Sequence, residues 1–219
     1  MNHKKILSFI LALCFITLGL IFEHGEKEKA ASPVNHKDRN YPHTAKKYSP
    51  TTGKKHVVKK GETISDVAKL HGVPIEKVEQ ANEDDKGGVK PGEALLIPKS
   101  PIKGSDKELL ARLVHAEAKG EPYKGKVAVA TVVLNRIQSE QFPDTVPAVI
   151  YQKNQFEPVM NGSIQKPAGK EAKKAVNEAI AIQGKTDEAL YFYNPSISES
   201  KWMRQLTVIK VIGKHHFAI

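Results

Sequence analysis

Cysteine is almost missing from this chain: its 219 residues hold one, Cys14, and that one sits inside an apolar run. A single thiol builds no disulfide framework and no cysteine-ligated metal cluster. Outside the apolar run there is also no thiol to serve as a nucleophile. The histidines do not fill the gap. His24, His36 and His43 lack ligand spacing, and the adjacent His215 and His216 project differently with no third ligand nearby. No zinc site and no other cofactor is therefore expected. Signatures of nucleic-acid readers are missing too, with no zinc-finger spacing, helix-turn-helix pattern or aromatic-basic RNA motif, so nucleic acid is not an expected partner.

What is present is positive charge, unevenly spread. Residues 1–55 carry ten Lys/Arg against four Asp/Glu, residues 56–100 seven against eight, and residues 101–219 seventeen against twelve. A basic exterior suits an anionic polymer; with nucleic acid disfavoured, anionic lipid and bacterial cell wall remain. The length predicts one or two domains with at least one sizeable core.

Lys4 and Lys5 precede seventeen residues, Ile6 to Phe22, in which Ser8 and Thr17 are the only polar types. A basic start before an apolar stretch predicts export. The stretch is at the lower length limit for crossing a bilayer. Glu23, His24 and Gly25 follow it, which is no small-x-small cleavage site, and Leu13 before Cys14 does not suit a lipoprotein. Residues 1–22 are expected to be a membrane anchor, with the basic end cytoplasmic, residues 6–22 in the bilayer and the chain beyond them facing the cell wall. Their removal as a signal peptide, giving a protein secreted to wall or spore cortex, is the alternative. Residues 23–55, with Pro33, Pro42 and Pro50 and no apolar periodicity, predict a flexible linker reaching a few tens of ångströms.

Residues 56–98 predict a compact module. His56 to Lys59 reads as a strand and Gly61-Glu62-Thr63 as a turn into a helix. That helix has an apolar face of Ile64, Val67, Ala68 and Leu70 and ends at Gly72. Pro74 opens a second helix ending near Asn82, and Leu95 to Pro98 reads as a returning strand. The order is βααβ. Val57-Val58-Lys59-Lys60-Gly61-Glu62-Thr63-Ile64, Ala68, Gly72-Val73, Asn82, Lys90-Pro91-Gly92 and Leu96-Ile97-Pro98 together resemble a LysM domain. The resemblance implies binding of N-acetylglucosamine-containing glycans such as peptidoglycan. It places the sugar groove at Gly61, Glu62, Thr63 and Ile64 and at the stretch from Asn82 to Asp85, where Glu83-Asp84-Asp85 departs from the family's usual leucine and small polar residues.

Beyond a short linker, Leu109 to Pro122 predicts a helix. Ser105 and Glu108 form a capping-box pattern, Leu109, Leu110, Leu113 and Val114 recur at helical spacing, and Gly120 and Pro122 close it. Glu117 falls on the apolar stripe. Desolvation there raises a carboxyl pKa and helps it hold a proton near neutrality, as a general acid must; the competing reading is a helix-end glutamate turned to solvent. Gly125 to Ser139 is apolar on most faces and predicts a buried helix, interrupted by Asn135, either a satisfied core amide or a cleft residue, and by Arg136. A short helix is expected near Pro147, a strand at Gln155–Val159, a helix over Glu171–Gln183, and strands at Leu190–Pro195 and Val208–Ile212, with Lys214 to Phe217 as a tail. Tyr191, Tyr193 and Trp202 are candidates to stack on sugar rings, although each serves equally well as a packing anchor.

His115-Ala116-Glu117-Ala118-Lys119-Gly120-Glu121-Pro122-Tyr123, Gly125 to Ala130, Val133-Leu134-Asn135-Arg136, Phe142-Pro143, Gln155-Phe156, Tyr193-Asn194-Pro195 and Gly213-Lys214-His215 together resemble the spore cortex-lytic enzyme family, the SleB/CwlJ type of cell-wall hydrolase. The resemblance implies an α+β protein: a small βααβ LysM module followed, over 105–219, by a mainly helical, lysozyme-like catalytic domain with a small β-sheet. It implies cleavage of peptidoglycan glycan strands, with Glu117 as catalytic acid/base. Ordinary glycosidases need two carboxylates, whereas a lytic transglycosylase works with one, closing a 1,6-anhydro ring with the sugar's own hydroxyl. A hydrolytic muramidase or glucosaminidase would need a second carboxylate, for which Glu121 and Glu157 are the candidates. A catalytically silent wall-binding protein is the third alternative, and an intact Glu117 motif argues against it. An amidase or endopeptidase would need zinc ligands or a thiol, and neither is present outside the apolar run 6–22.

Overall fold

The computed structural model describes residues 53–82 and 88–219. The apolar run 6–22, the linker up to residue 52, and the acidic stretch Glu83-Asp84-Asp85 lie outside these residues. Among the described residues no helix is long and apolar enough to cross a membrane.

The first module is β1 (Gly53–Val57), α1 (Ile64–His71), α2 (Ile75–Ala81) and β2 (Ala94–Pro98). The two strands pair antiparallel, from Gly53 against Pro98 to Val57 against Ala94. The strand expected at His56–Lys59 starts earlier and ends earlier. Gly53 to Lys55, read as linker because they are polar, pair through their backbone with the apolar β2. Lys59 leaves the strand because its N–H goes to Glu62 Oε2 (2.8 Å) and its carbonyl accepts from Glu62 N (3.1 Å). α1 starts from a capping box: Thr63 Oγ1 accepts from Asp66 N and Thr63 N donates to Asp66 Oδ2. Such reciprocal caps satisfy donors that a helix start leaves orphaned. Val58, Val67, Ala68, Val73, Val78, Leu95 and Ile97 form the small core.

The second unit is helical: α3 (Gly104–Glu117), α4 (Tyr123–Arg136), α5 (Val146–Ile150), α6 (Glu157–Met160) and α7 (Lys170–Ala181). Single-turn 3-10 helices lie at Ser163–Gln165 and Met203–Gln205. α4 is buried on nearly every face, from Val127 through Leu134, as its unbroken apolar run predicts, with α3 and α7 packed against it. α3 starts at Gly104, one residue before the expected cap. Ser105 Oγ donates to Asp106 Oδ1 (3.2 Å) and Glu108 pairs with Lys173 (2.9 Å), so the capping box read from Ser105 and Glu108 does not form.

Two further expectations are corrected. Gln155–Val159 is not a strand; Phe156 is extended and Glu157 begins α6, with Pro158 in the first turn, where a missing N–H costs nothing. The tail at Lys214–Phe217 is instead β5 (His215–Ala218), the middle strand of a sheet in the order β3 (Tyr191–Tyr193), β5, β4 (Val208–Ile212). Phe217 is fully buried at its centre. The outer strand β4 carries a register shift between Val208 and Lys210.

Candidate active site

Glu117 is the last residue of α3. The buried stripe of Leu109, Leu110, Leu113 and Val114 leads to it, so the helix delivers a half-buried carboxyl to the edge of the core. Burial pushes its pKa up to about 7, with the nearby Glu157 carboxylate adding to the rise. The Arg136 guanidinium and the backbone N–H of Glu157, which donates to the Glu117 carboxyl, pull the other way. Desolvation and a like charge prevail over one cation and one hydrogen bond. A carboxyl so placed is about half protonated near neutral pH, the state a general acid–base residue needs in order to give and then take a proton.

Arg136 organises the floor of the site. It is 5% exposed, which for a cation requires partners. Its Nε donates to the Leu190 carbonyl (2.8 Å) and its Nη1 to Gln155 Oε1 (3.1 Å). The guanidinium carbon lies 4.7 Å from the Phe142 ring centre, 5.4 Å from that of Phe156 and 5.6 Å from that of Tyr191. Enclosure lowers even this guanidinium's pKa to about 10. One side chain thus joins α4 to β3 and to the segment that leads into Glu157.

The other expected site residues divide by what they touch. Tyr191 stands beside Phe142 (6.0 Å) and meets Trp202 edge-on (5.2 Å), and the indole is 45% exposed. These two rings form an open aromatic rim reached from Glu117 through Arg136. Tyr193 points inward, 8% exposed, with its ring against His216. Asn135 gives both amide hydrogens to backbone, to the carbonyls of Asp187 (3.1 Å) and Ala189 (3.0 Å), pinning the approach to β3. Of its two open readings this is the satisfied amide. Glu121 is 7% exposed and its Oε2 accepts from Lys214 N (3.0 Å). It braces the hairpin between β4 and β5, where a Cβ on Gly213 would come within 2.0 Å of that oxygen. Glu157 is the candidate second carboxylate that lies near enough to act on Glu117.

In the first module Gly61 has φ +83 and is exposed together with Thr63. Glu62 accepts from Lys59 N and from His56 Nε2 (2.9 Å), which hold its carboxylate below its ordinary pKa. Ile64 packs against the small core. The Asn82 amide is committed to the frame: Nδ2 donates to the carbonyls of Val78 and Leu96, and Oδ1 accepts from Leu96 N.

In sequence Arg136 reads only as a polar interruption, and nothing local marks Phe142, Gln155 and Phe156 as site-forming. The signal available was the single cation in an otherwise apolar helix, a residue that must find partners to be buried at all. Among the described residues no group of three or more His, Cys, Asp or Glu is placed to hold a metal ion. A cavity of about 600 Å³ opens away from this site, at the junction of the two units, lined by Lys54, Lys99, Lys103 and Lys107 among others.

Comparison with known proteins agrees with this division. The LysM domain model matches residues 56–98 and the cell wall hydrolase model residues 120–218, beginning three residues after Glu117. Spore cortex-lytic enzymes of Bacillus cereus and Bacillus subtilis are 46% and 43% identical over 113 residues, 52% of this chain. The chain spans less than half the length of these relatives, 44% and 37% respectively. Of solved structures, the catalytic domain of the germination-specific lytic transglycosylase SleB from Bacillus anthracis is 42% identical, with a TM-score of 0.53. It is covered over 100% of its length by 56% of this chain. The catalytic domain of Bacillus cereus SleB is 43% identical, with a TM-score of 0.52 and 94% of its length covered by 55% of this chain. With that whole catalytic fold behind a LysM domain, the chain belongs to the SleB-type cell wall hydrolase family.

Proposed function

We propose that this protein cleaves peptidoglycan glycan strands as a lytic transglycosylase, between N-acetylmuramic acid and N-acetylglucosamine, with Glu117 as its acid/base. The observation that carries the reading is the Glu117 carboxyl, half-buried and poised near neutrality at the end of a helix whose inner face is buried. The description of the related Bacillus anthracis domain as a lytic transglycosylase supports it. Protonated Glu117 donates to the glycosidic oxygen as the N-acetylglucosamine side leaves. The carboxylate so formed then takes the proton of the muramic acid C6 hydroxyl, which closes on the anomeric carbon. Proton and bonds balance without water, and Glu117 ends protonated as it began. Tyr191 and Trp202 offer the rim on which sugar faces stack, and the LysM turn at Gly61 to Ile64 holds the strand. The wall is the partner this assigns. Attachment of residues 6–22 to a membrane, with the catalytic domain facing the wall, completes the proposed location.

One observation favours a second reading. Glu157 lies close enough to Glu117 to raise its pKa, and two neighbouring carboxylates are the equipment of a hydrolytic glycosidase. Mass spectrometry of digested peptidoglycan decides between them: anhydromuropeptides are expected, and reducing-end products would move the assignment to hydrolysis. The Glu117→Gln variant is expected to bind wall and release nothing; retained lysis would overturn the role of Glu117.

A further inference from the structure

The junction between the LysM module and the catalytic domain is built rather than merely tethered. Lys107, on the first turns of α3, sends its Nζ across to the carbonyls of His71 (3.1 Å) and Gly72 (2.9 Å) at the C-terminal end of α1. These are orphan carbonyls carrying the negative end of the helix dipole, where a cation is favoured. Docking buries the ammonium and lowers its pKa, and the two carbonyls it donates to across the junction offset that desolvation. Ser100 Oγ donates to the same Gly72 oxygen (2.6 Å), so both of its lone pairs are engaged.

Three contacts from α7 extend the seam. Asn177 Nδ2 donates to the Leu70 carbonyl (3.1 Å), and Lys69 pairs with Glu178 (3.3 Å). Glu178 also accepts from the Tyr123 hydroxyl (2.8 Å), which ties that pair to α4. Ala181, at the end of α7, packs into the apolar core of the LysM module rather than that of its own domain. Gly72, at φ +58, leaves room for this meeting: a Cβ there would stand 2.4 Å from Asn177 Oδ1 and 2.6 Å from Lys107 Nζ. On the LysM side a chain of contacts continues to the sugar-facing turn. His71 Nε2 meets His56 Nδ1 (3.3 Å), and His56 Nε2 donates to Glu62 Oε2 (2.9 Å). On the catalytic side, α3 runs without a break from Lys107 to Glu117, about 15 Å at the helical rise.

We propose that the LysM module serves as a ruler: the seam through Lys107, Gly72 and Asn177 fixes its sugar-binding turn relative to Glu117, so that the sugar it grips determines which glycosidic bond is cut. This rests on the glycan-cleaving reading above. Lys107 and Asn177 are positioning residues that act through the module they hold. A LysM module on a slack tether would raise the local substrate concentration without selecting a bond; a docked one selects.

The test uses the full chain in a Cys14→Ser background, spin-labelled at Gln80→Cys and Glu140→Cys, both exposed sites. Three readouts are taken: the distance distribution between the labels, the lengths of products released from long glycan strands, and turnover of a short soluble glycan. The parent is expected to give one narrow distance and product lengths clustered about a preferred value. Lys107→Met, and independently the surface pair Lys69→Ala with Asn177→Ala, are expected to broaden the distances and abolish the preferred length while leaving short-glycan turnover unchanged. A broad distance distribution in the parent overturns the proposal, as do identical product lengths in docked and undocked chains. If the parent fails to turn over the short glycan, the catalytic reading fails and the ruler with it; turnover with unselected lengths overturns the ruler alone.

Discussion

Glu62 and Glu117 are the same side chain put to opposite uses. Glu62 sits in a surface turn, takes hydrogen bonds from Lys59 N and His56, and has its pKa lowered. Glu117 ends a helix with a buried inner face, beside another carboxylate, and has its pKa raised to about 7. The first is kept charged and shapes backbone; the second is kept undecided about its proton. Surroundings, not residue type, set the direction in which each carboxyl's pKa moves.

The largest expected break in this contrast is Glu117→Gln. Loss of a positioned acid/base is expected to lower the rate of wall lysis by about 10²–10⁴-fold, read as turbidity loss of a peptidoglycan suspension. The same change relieves strain in the fold. An acid whose folded pKa lies above its unfolded value weakens the fold as pH rises from about 4.5 to 7, so the Gln variant is expected to be the more stable protein at pH 8, by up to roughly 3 kcal/mol from the size of the shift. The gain should vanish at pH 4, and thermal melts at the two pH values check it.

Next comes Arg136→Met, which leaves the Leu190 carbonyl and Gln155 without their donor. A stability loss of about 2–4 kcal/mol is expected, together with a further rise in the Glu117 pKa as its compensating cation disappears; denaturant melts and the pH–rate profile measure the two. Glu157→Gln has a subtler effect. Removing the like charge lets Glu117 ionise more readily, so the high-pH limb of the activity profile should move to lower pH with the maximal rate kept. A collapse of rate at every pH would instead make Glu157 the base of a hydrolase. The smallest effect is expected for Glu62→Gln. Because the Glu62 pKa is lowered by folding, its support of the turn is present above pH 4.5 and lost as pH falls further. The variant should weaken wall binding at pH 7, and the gap to the parent should narrow as pH falls below 4.5, as measured by pull-down on insoluble peptidoglycan.

The apolar stripes made most of this legible from sequence. α3, α4 and α7 follow from periodicity, the βααβ module from its turns, and the placement of Glu117 from its register on a buried face. What escaped depends on pairings between distant segments. β5 reads as a tail because His215-His216-Phe217 has no alternation until β3 and β4 flank it. Gln155 to Val159 reads as a strand because local propensity ignores that Pro158 is at home in a first helical turn. Arg136 escaped because its partners, Leu190, Gln155 and three aromatic rings, come from three separate stretches of chain. Glu121 and Asn135 show the reverse: polar residues beside a catalytic motif whose bonds turn out to serve the frame, one bracing a hairpin and the other a loop.

The bulge between Val208 and Lys210 bears on how the molecule behaves among copies of itself. β4 is an edge strand of its sheet, with Val208, Ile209 and Val211 exposed, and a straight apolar edge of that kind templates aggregation. The shifted register interrupts the row of free backbone groups, and Lys210, drawn to Asp187 at 2.8 Å, places a cation at the same point. Neighbouring molecules thus meet a broken, charged border where they would otherwise find a docking line for a fourth strand.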